Sequence, residues 1–142
     1  MNRVLFAVLL ALMASCRSTP TASVRVLAPH IARLTLASDE AFEVVPRAGE
    51  RLGYDWHESR PGQGMVLLRT KPVQGFFSMV GEQVRFEEAV VRVRETGQAV
   101  ELHVDASLVH GPPGGPFTRR ELESHAWYAS FFDAVAAEIE SD

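Results

Sequence analysis

At 142 residues, 46% apolar and 23% charged, the chain has room for one folded domain and not comfortably for two. Fourteen basic residues against eighteen acidic ones give a formal charge of −4, which argues against a general nucleic-acid binder needing a basic surface. One cysteine excludes an internal disulfide.

The chain begins Met1-Asn2-Arg3, a short basic start, and continues as an eleven-residue apolar run from Val4 to Ala14. A charged start and a short apolar core are the parts of an export signal, and the run is too short to cross a bilayer as a helix, which takes about 20 residues. It ends Leu12-Met13-Ala14-Ser15-Cys16. This resembles the lipobox of bacterial lipoproteins, in which an aliphatic residue and two small residues precede a cysteine; Met13 stands where leucine is usual. The resemblance implies that residues 1–15 are removed and that Cys16 becomes a lipidated N-terminus holding the protein on a membrane. Small residues before the cysteine admit the peptidase. Each buried lipid methylene contributes about 0.8 kcal/mol, so two or more chains anchor stably. The competing reading is an ordinary secretory signal, with Cys16 a chance residue. Arg17 after the cysteine, where Asp would signal retention in the inner membrane, implies by the same resemblance the outer membrane, facing the periplasm. Residues 17–23 (RSTPTAS) are polar, contain Pro20 and read as a flexible tether, which leaves 24–142 as a single domain.

In residues 24–36, Val24, Val26, Leu34 and Leu36 fit short strands but Pro29 interrupts, so the segment reads as irregular or partly extended. Residues 38–52 read as a helix. Ser38 or Asp39 is placed to cap it, Asp39 and Glu40 suit its positive end, and Gly53 is a natural stop. Pro46 conflicts, because an interior proline removes a backbone bond at about 3 kcal/mol. The alternative is a strand at 41–45 and a helix from Pro46. Strands at 54–59 and 65–71 flank a Pro-Gly-Gln-Gly turn and form a hairpin.

A second hairpin is expected between 84–95 and 98–109, with Thr96-Gly97 as its turn. That register sets Val93 opposite Val100, Val91 opposite Leu102 and Ala89 opposite Val104 on one apolar face. Arg92 then meets Glu101 on the other face. It also sets Glu88 against Asp105, so a bulge or an end is expected there. Residues 110–116 (HGPPGGP) are a loop. Thr118-Arg119-Arg120-Glu121 reads as a capping box, stapled by Phe117 and Leu122, opening a helix to about residue 140. Its stripe is Leu122, Tyr128, Phe131, Phe132, Val135 and Ile139. The fold expected is α+β in two layers: a helix, a four-stranded antiparallel sheet and a long C-terminal helix covering it.

Ser38-Asp39-Glu40-Ala41-Phe42, Leu52-Gly53-Tyr54, a turn with Gly62 and Gly64, two strands and a closing helix with Phe131-Phe132 form a recognisable order. It is similar to small bacterial periplasmic lipoproteins of unknown function and to the helix-grip domains of the BamC-type outer-membrane assembly lipoprotein, over about residues 35–140. The resemblance implies a binding or scaffolding module with no catalytic residues to carry over.

The five histidines (His30, His57, His103, His110 and His125) show no HxxxH or HExxH spacing. His103, Glu101 and Asp105 share a strand face and read as solvated rather than as a metal site. There is no GxSxG, Ser78 and Ser130 have no base nearby in sequence, and the 111–115 loop lacks a phosphate-loop context, so neither catalysis nor a cofactor is expected. Trp56 and Trp127 read as core or core-rim residues. The stretch 72–81 (PVQGFFSMVG) stands apart because Phe76, Phe77, Met79 and Val80 are bulky where polar residues are usual. It is either a loop or edge strand folded onto the core or an exposed contact for a partner or membrane. The expectation is a lipid-anchored, non-enzymatic module that binds or scaffolds envelope proteins. The alternative is a carrier of a small apolar ligand between sheet and C-terminal helix.

Overall fold

The computed structural model describes residues 22–77 and 81–142. Its elements are β1 (Val24–Ala28), β2 (Ile31–Leu34), α1 (Ser38–Arg51), β3 (Trp56–Arg60), β4 (Met65–Arg69), β5 (Val73–Phe77), β6 (Gly81–Thr96), β7 (Ala99–Gly111), β8 (Thr118–Glu121) and α2 (His125–Ser141), with a 3-10 turn at Pro61–Gln63. The class is α+β, with one antiparallel sheet of eight strands rather than four. The order is β1-β2-β7-β6-β4-β3. β5 continues along β6 on the side of β4, and β8 along β7 on the side of β2.

The long β6–β7 hairpin organises the rest. Its ladder runs unbroken from Val84–Gly111 to Thr96–Ala99, so the turn is Gly97-Gln98 and not Thr96-Gly97. Gly97 takes φ 68°, the left-handed region a tight hairpin turn uses. The pairing is therefore offset by two residues from the expected register: Val93 faces Leu102, Val91 faces Val104 and Ala89 faces Ala106. Because side chains alternate with period two, that offset keeps every residue on its expected face and changes only its partner. Glu88 meets Ser107 instead of Asp105, which removes the reason for a bulge.

One face of the sheet is apolar and covered. Ala32, Leu34, Val66, Leu68, Ala89, Val91, Val93, Val100, Leu102 and Val104 are buried in a single cluster with Val44, Val45 and Ala48 of α1 and Phe131, Phe132 and Val135 of α2. Helix α1 is continuous through Pro46, and the buried Ala41, Val44, Val45 and Ala48 follow the i, i+3, i+4, i+7 spacing of one helical face. Burial of that stripe offsets the bond lost at Pro46. The N-cap is Ala37 rather than Ser38 or Asp39, and no side chain caps it. At the other end Gly53 (φ 86°) donates to the Glu50 carbonyl and Tyr54 to that of Gly49, a Schellman closure. Gly49 lets helix and sheet approach closely, since a Cβ there would stand 3.0 Å from both Leu68 methyl carbons.

Two segments depart from the sequence reading. Residues 24–34 form a regular hairpin turning at Pro29-His30, with a register shift between Val26 and Ala28. Thr118-Arg119-Arg120-Glu121 is not a capping box: it is strand β8, paired to residues 107–110 of β7. Phe117 packs edge-on against Phe86 at 5.8 Å rather than stapling to Leu122. The helix starts later, at His125, where the Ser124 hydroxyl accepts from the Trp127 amide at 3.4 Å. A free strand edge offers four residues' worth of backbone partners at once, which a first helical turn with its unsatisfied amides does not.

Candidate functional site

The hairpin reaches beyond the helices, and this outer arm, flanked by β5 and β8, carries the unusual side chains. Along its face away from the helices run Val84, Phe86 and Glu88 of β6, Val109 of β7 and Arg119 of β8. Glu88 is only 3% exposed. Its carboxylate accepts from Arg69 Nε at 2.6 Å and from an Arg119 terminal nitrogen. Burial alone would push its pKa up; the two arginine hydrogen bonds and their charges outweigh that and hold it below the usual carboxylate value. Arg69 also lies 4.9 Å above the ring of Trp56. Trp56 is thus an exposed residue of this face and not part of the core, whereas Trp127 stacks on Phe131 at 5.5 Å.

On the helix side Tyr54 is buried and donates to Glu87 Oε2 at 3.0 Å. Burial first, then the Glu87 charge, drive its pKa well above the ordinary phenol value. Between the helices, the nearly buried Glu138 accepts from Arg51 and stands 3.4 Å from Arg47. These pairs tie elements together, Tyr54 to β6 and α1 to α2.

Among the described residues the four sheet edges differ. β1 carries Arg25, β3 carries Glu58 and Arg60, and β8 carries Arg119, Arg120 and Glu121. β5 reads Val-Gln-Gly-Phe-Phe and carries no charge. Its Val73 is 69% exposed and its Phe76 78%. Of the stretch 72–81 singled out in the sequence, Val73–Phe77 is therefore an edge strand, and where its side chains are described it is not folded onto the core. Phe77 closes β5 opposite Gly81. Met79, Val80 and Cys16 lie outside the described residues.

A surface cleft of about 570 Å³ brings His30, His125, Asp105, Glu121 and Glu123 to one rim. Among the described residues no three His, Cys, Asp or Glu side chains are arranged to share a metal ion. His103 Nε2 stands 3.7 Å from Glu101 Oε1, and Asp105 is engaged by Arg92. Ser130 is exposed and donates to the Ala126 carbonyl. The space between sheet and α2 is occupied by Phe131, Phe132, Val135 and Tyr128, packing that lends nothing to the apolar-carrier alternative. Among the described residues no helix is long and apolar enough to cross a membrane.

Comparison with protein-family models and with curated proteins returned no match.

Sequence reasoning singled out Phe76 without deciding its exposure, and missed the Arg69–Glu88–Arg119 cluster and the outward turn of Trp56. The available signal was the strand alternation itself, which puts Trp56, Arg69 and Glu88 on neighbouring strands in one cross-sheet row.

Proposed function

We propose that this protein is a membrane-anchored bacterial lipoprotein, held by lipid at Cys16 on the outer membrane and facing the periplasm, where its domain acts as a non-enzymatic binding or scaffolding module. The observation that carries the binding role is the uncharged edge strand with Phe76 at 78% exposure, since soluble domains blunt free edges unless something covers them. The architecture supports a helix-grip-like reading. Strand β2, helix α1, strands β3, β4, β6 and β7, and helix α2 follow that order, with β1, β5 and β8 added at the margins.

The anchor and the binding role are tested separately. Cys16→Ala should move the protein from the membrane fraction to the soluble one and abolish incorporation of labelled fatty acid; membrane attachment unchanged by that substitution refutes the anchor. A photo-crosslinking phenylalanine at position 76, in intact envelopes, should capture a partner protein. The binding role is wrong if no protein is captured there or from the Trp56 face.

A further inference from the structure

We infer that the free edge of β5 is a strand acceptor: an extended segment of another envelope protein pairs with it antiparallel, apolar along its length and acidic at its C-terminal end. This rests on the binding-module reading above and specifies how that module binds and what it takes.

Val93 N–H donates to the Gly64 carbonyl and the Glu87 carbonyl accepts from Thr70, so odd-numbered residues of β6 turn their backbone groups toward β4 and β5. In β5, Val73, Gly75 and Phe77 stand opposite Arg85, Gln83 and Gly81, and spend their own groups on that ladder. Gln74 and Phe76 therefore aim their N–H and C=O groups out of the sheet, and among the described residues no strand lies beside them. This is the geometry that strand addition uses.

Charge selects the occupant. The other edges carry one or more ionic side chains, which discourage an incoming strand; β5 carries none. Two residues before β5 stands the exposed Lys71. An antiparallel strand on β5 ends with its C-terminus beside this cation. A second copy of the chain has no acidic residue within β5 to place there.

The position of the tether argues against the bilayer as occupant. Val24 aligns through Leu34 and Val100 with Glu95 of β6, while Phe76 aligns with Glu82. Thirteen residues of β6 separate those two levels, about 43 Å at 3.3 Å per residue. The seven residues from 17 to 23 extend to about 25 Å at most. The strand that follows the tether and the acceptor edge are thus at opposite ends of the long hairpin, and a domain standing upright on that tether presents β5 away from its own membrane.

The test uses the full lipidated chain in detergent micelles and a synthetic Val-Thr-Val-Thr-Val-Glu peptide, with the sequence-reversed peptide as comparison. Binding should slow amide hydrogen exchange at Gln74 and Phe76 and leave Val73 and Gly75 as they were. Gln74→Pro removes an outward N–H without touching the ladder to β6, and should weaken binding about tenfold or more, the loss expected for strand hydrogen bonds. Gln74→Thr, which keeps the N–H, should bind as the parent does and so controls for folding. The proposal is overturned if binding ignores Gln74→Pro, if the reversed peptide binds as well, or if neither peptide binds. It is equally overturned if the same amides become protected on concentrating the chain alone, or on adding plain phospholipid vesicles. If the peptide fails while crosslinking at position 76 still captures a protein, strand addition is wrong and the binding module stands. If both fail, both readings fall.

Discussion

Glu88 offers a measurable link between local geometry and stability. Glu88→Gln keeps the side-chain shape but removes the charge and turns an amide NH₂ toward a guanidinium. The lost interactions are two charge-assisted hydrogen bonds, each worth about 1.5–3 kcal/mol when well shielded. Arg69 and Arg119 are 41% and 56% exposed, so water recovers part of that when the carboxylate goes. A net cost of about 2–3 kcal/mol follows, or about 8–12 °C in Tm for a domain of this size. The pH dependence fixes the cause. The folded pKa lies below the ordinary carboxylate value of 4.5, so the contribution is complete above pH 4.5 and lost as pH falls through the folded value. Urea unfolding of parent and variant at pH 7 and at successively lower pH is the assay: the difference between them should shrink toward zero in acid. A difference that stays constant with pH, or is below about 0.5 kcal/mol at pH 7, would refute the electrostatic account.

Tyr54 should resist ionisation. In an alkaline ultraviolet titration Tyr54 stays protonated past the ordinary phenol range, and because its folded pKa is raised above the usual 10.0, its stabilisation is present below pH 10 and lost as pH rises further. Tyr54→Phe should remove that alkaline dependence and cost about 1.5–3 kcal/mol at neutral pH, read by chemical denaturation. Ser124→Ala should cost about 1 kcal/mol, the value of a helix N-cap, whereas Thr118→Ala, in an exposed strand, should cost under about 0.5 kcal/mol; the reverse ranking would restore the capping-box reading. Gly64→Ala places a Cβ 2.9 Å from the Val93 carbonyl at φ 62°, and should lower stability by about 2 kcal/mol or more.

The elements legible in the sequence are those whose signal is local. The alternation of 89, 91, 93 with 100, 102, 104 fixes faces without knowledge of the partner, and so survived a two-residue error in register. That error arose because Thr96-Gly97 and Gly97-Gln98 are equally good turns locally, and the choice between them rests on the whole ladder out to Gly111. The C-terminal helix was read six residues too early because Thr118 and Glu121 satisfy the capping pattern as written. Only the free edge of residues 107–110, distant in sequence, makes them a strand. The exposure of Phe76 and the burial of Glu88 have the same origin. Bulky residues in 72–81 marked the segment, but whether they fold inward depends on β5 joining β6 beyond the reach of the helices.

The two halves of the long hairpin are stabilised by different physics, and acid should separate them. Near its turn, β6 and β7 are covered by α1 and α2 through Ala89, Val91, Val93, Leu102 and Val104, an apolar contact indifferent to pH. In the outer arm, β8 is held to β7 by four residue pairs and to the sheet face by the Arg119–Glu88 contact, and β4 shares the same carboxylate through Arg69. Protonating Glu88 weakens both ties at once and leaves the helix-covered half untouched. Hydrogen exchange read by NMR should therefore show the amides of β8 and of residues 107–110 exchanging faster relative to residues 100–104 as pH drops below 4.5, after correction for intrinsic rates. In Glu88→Gln that acceleration should already be present at pH 7 and should no longer respond to acid. Uniform acceleration across both halves would mean that the hairpin opens only as a unit and that the carboxylate does not set the stability of the arm.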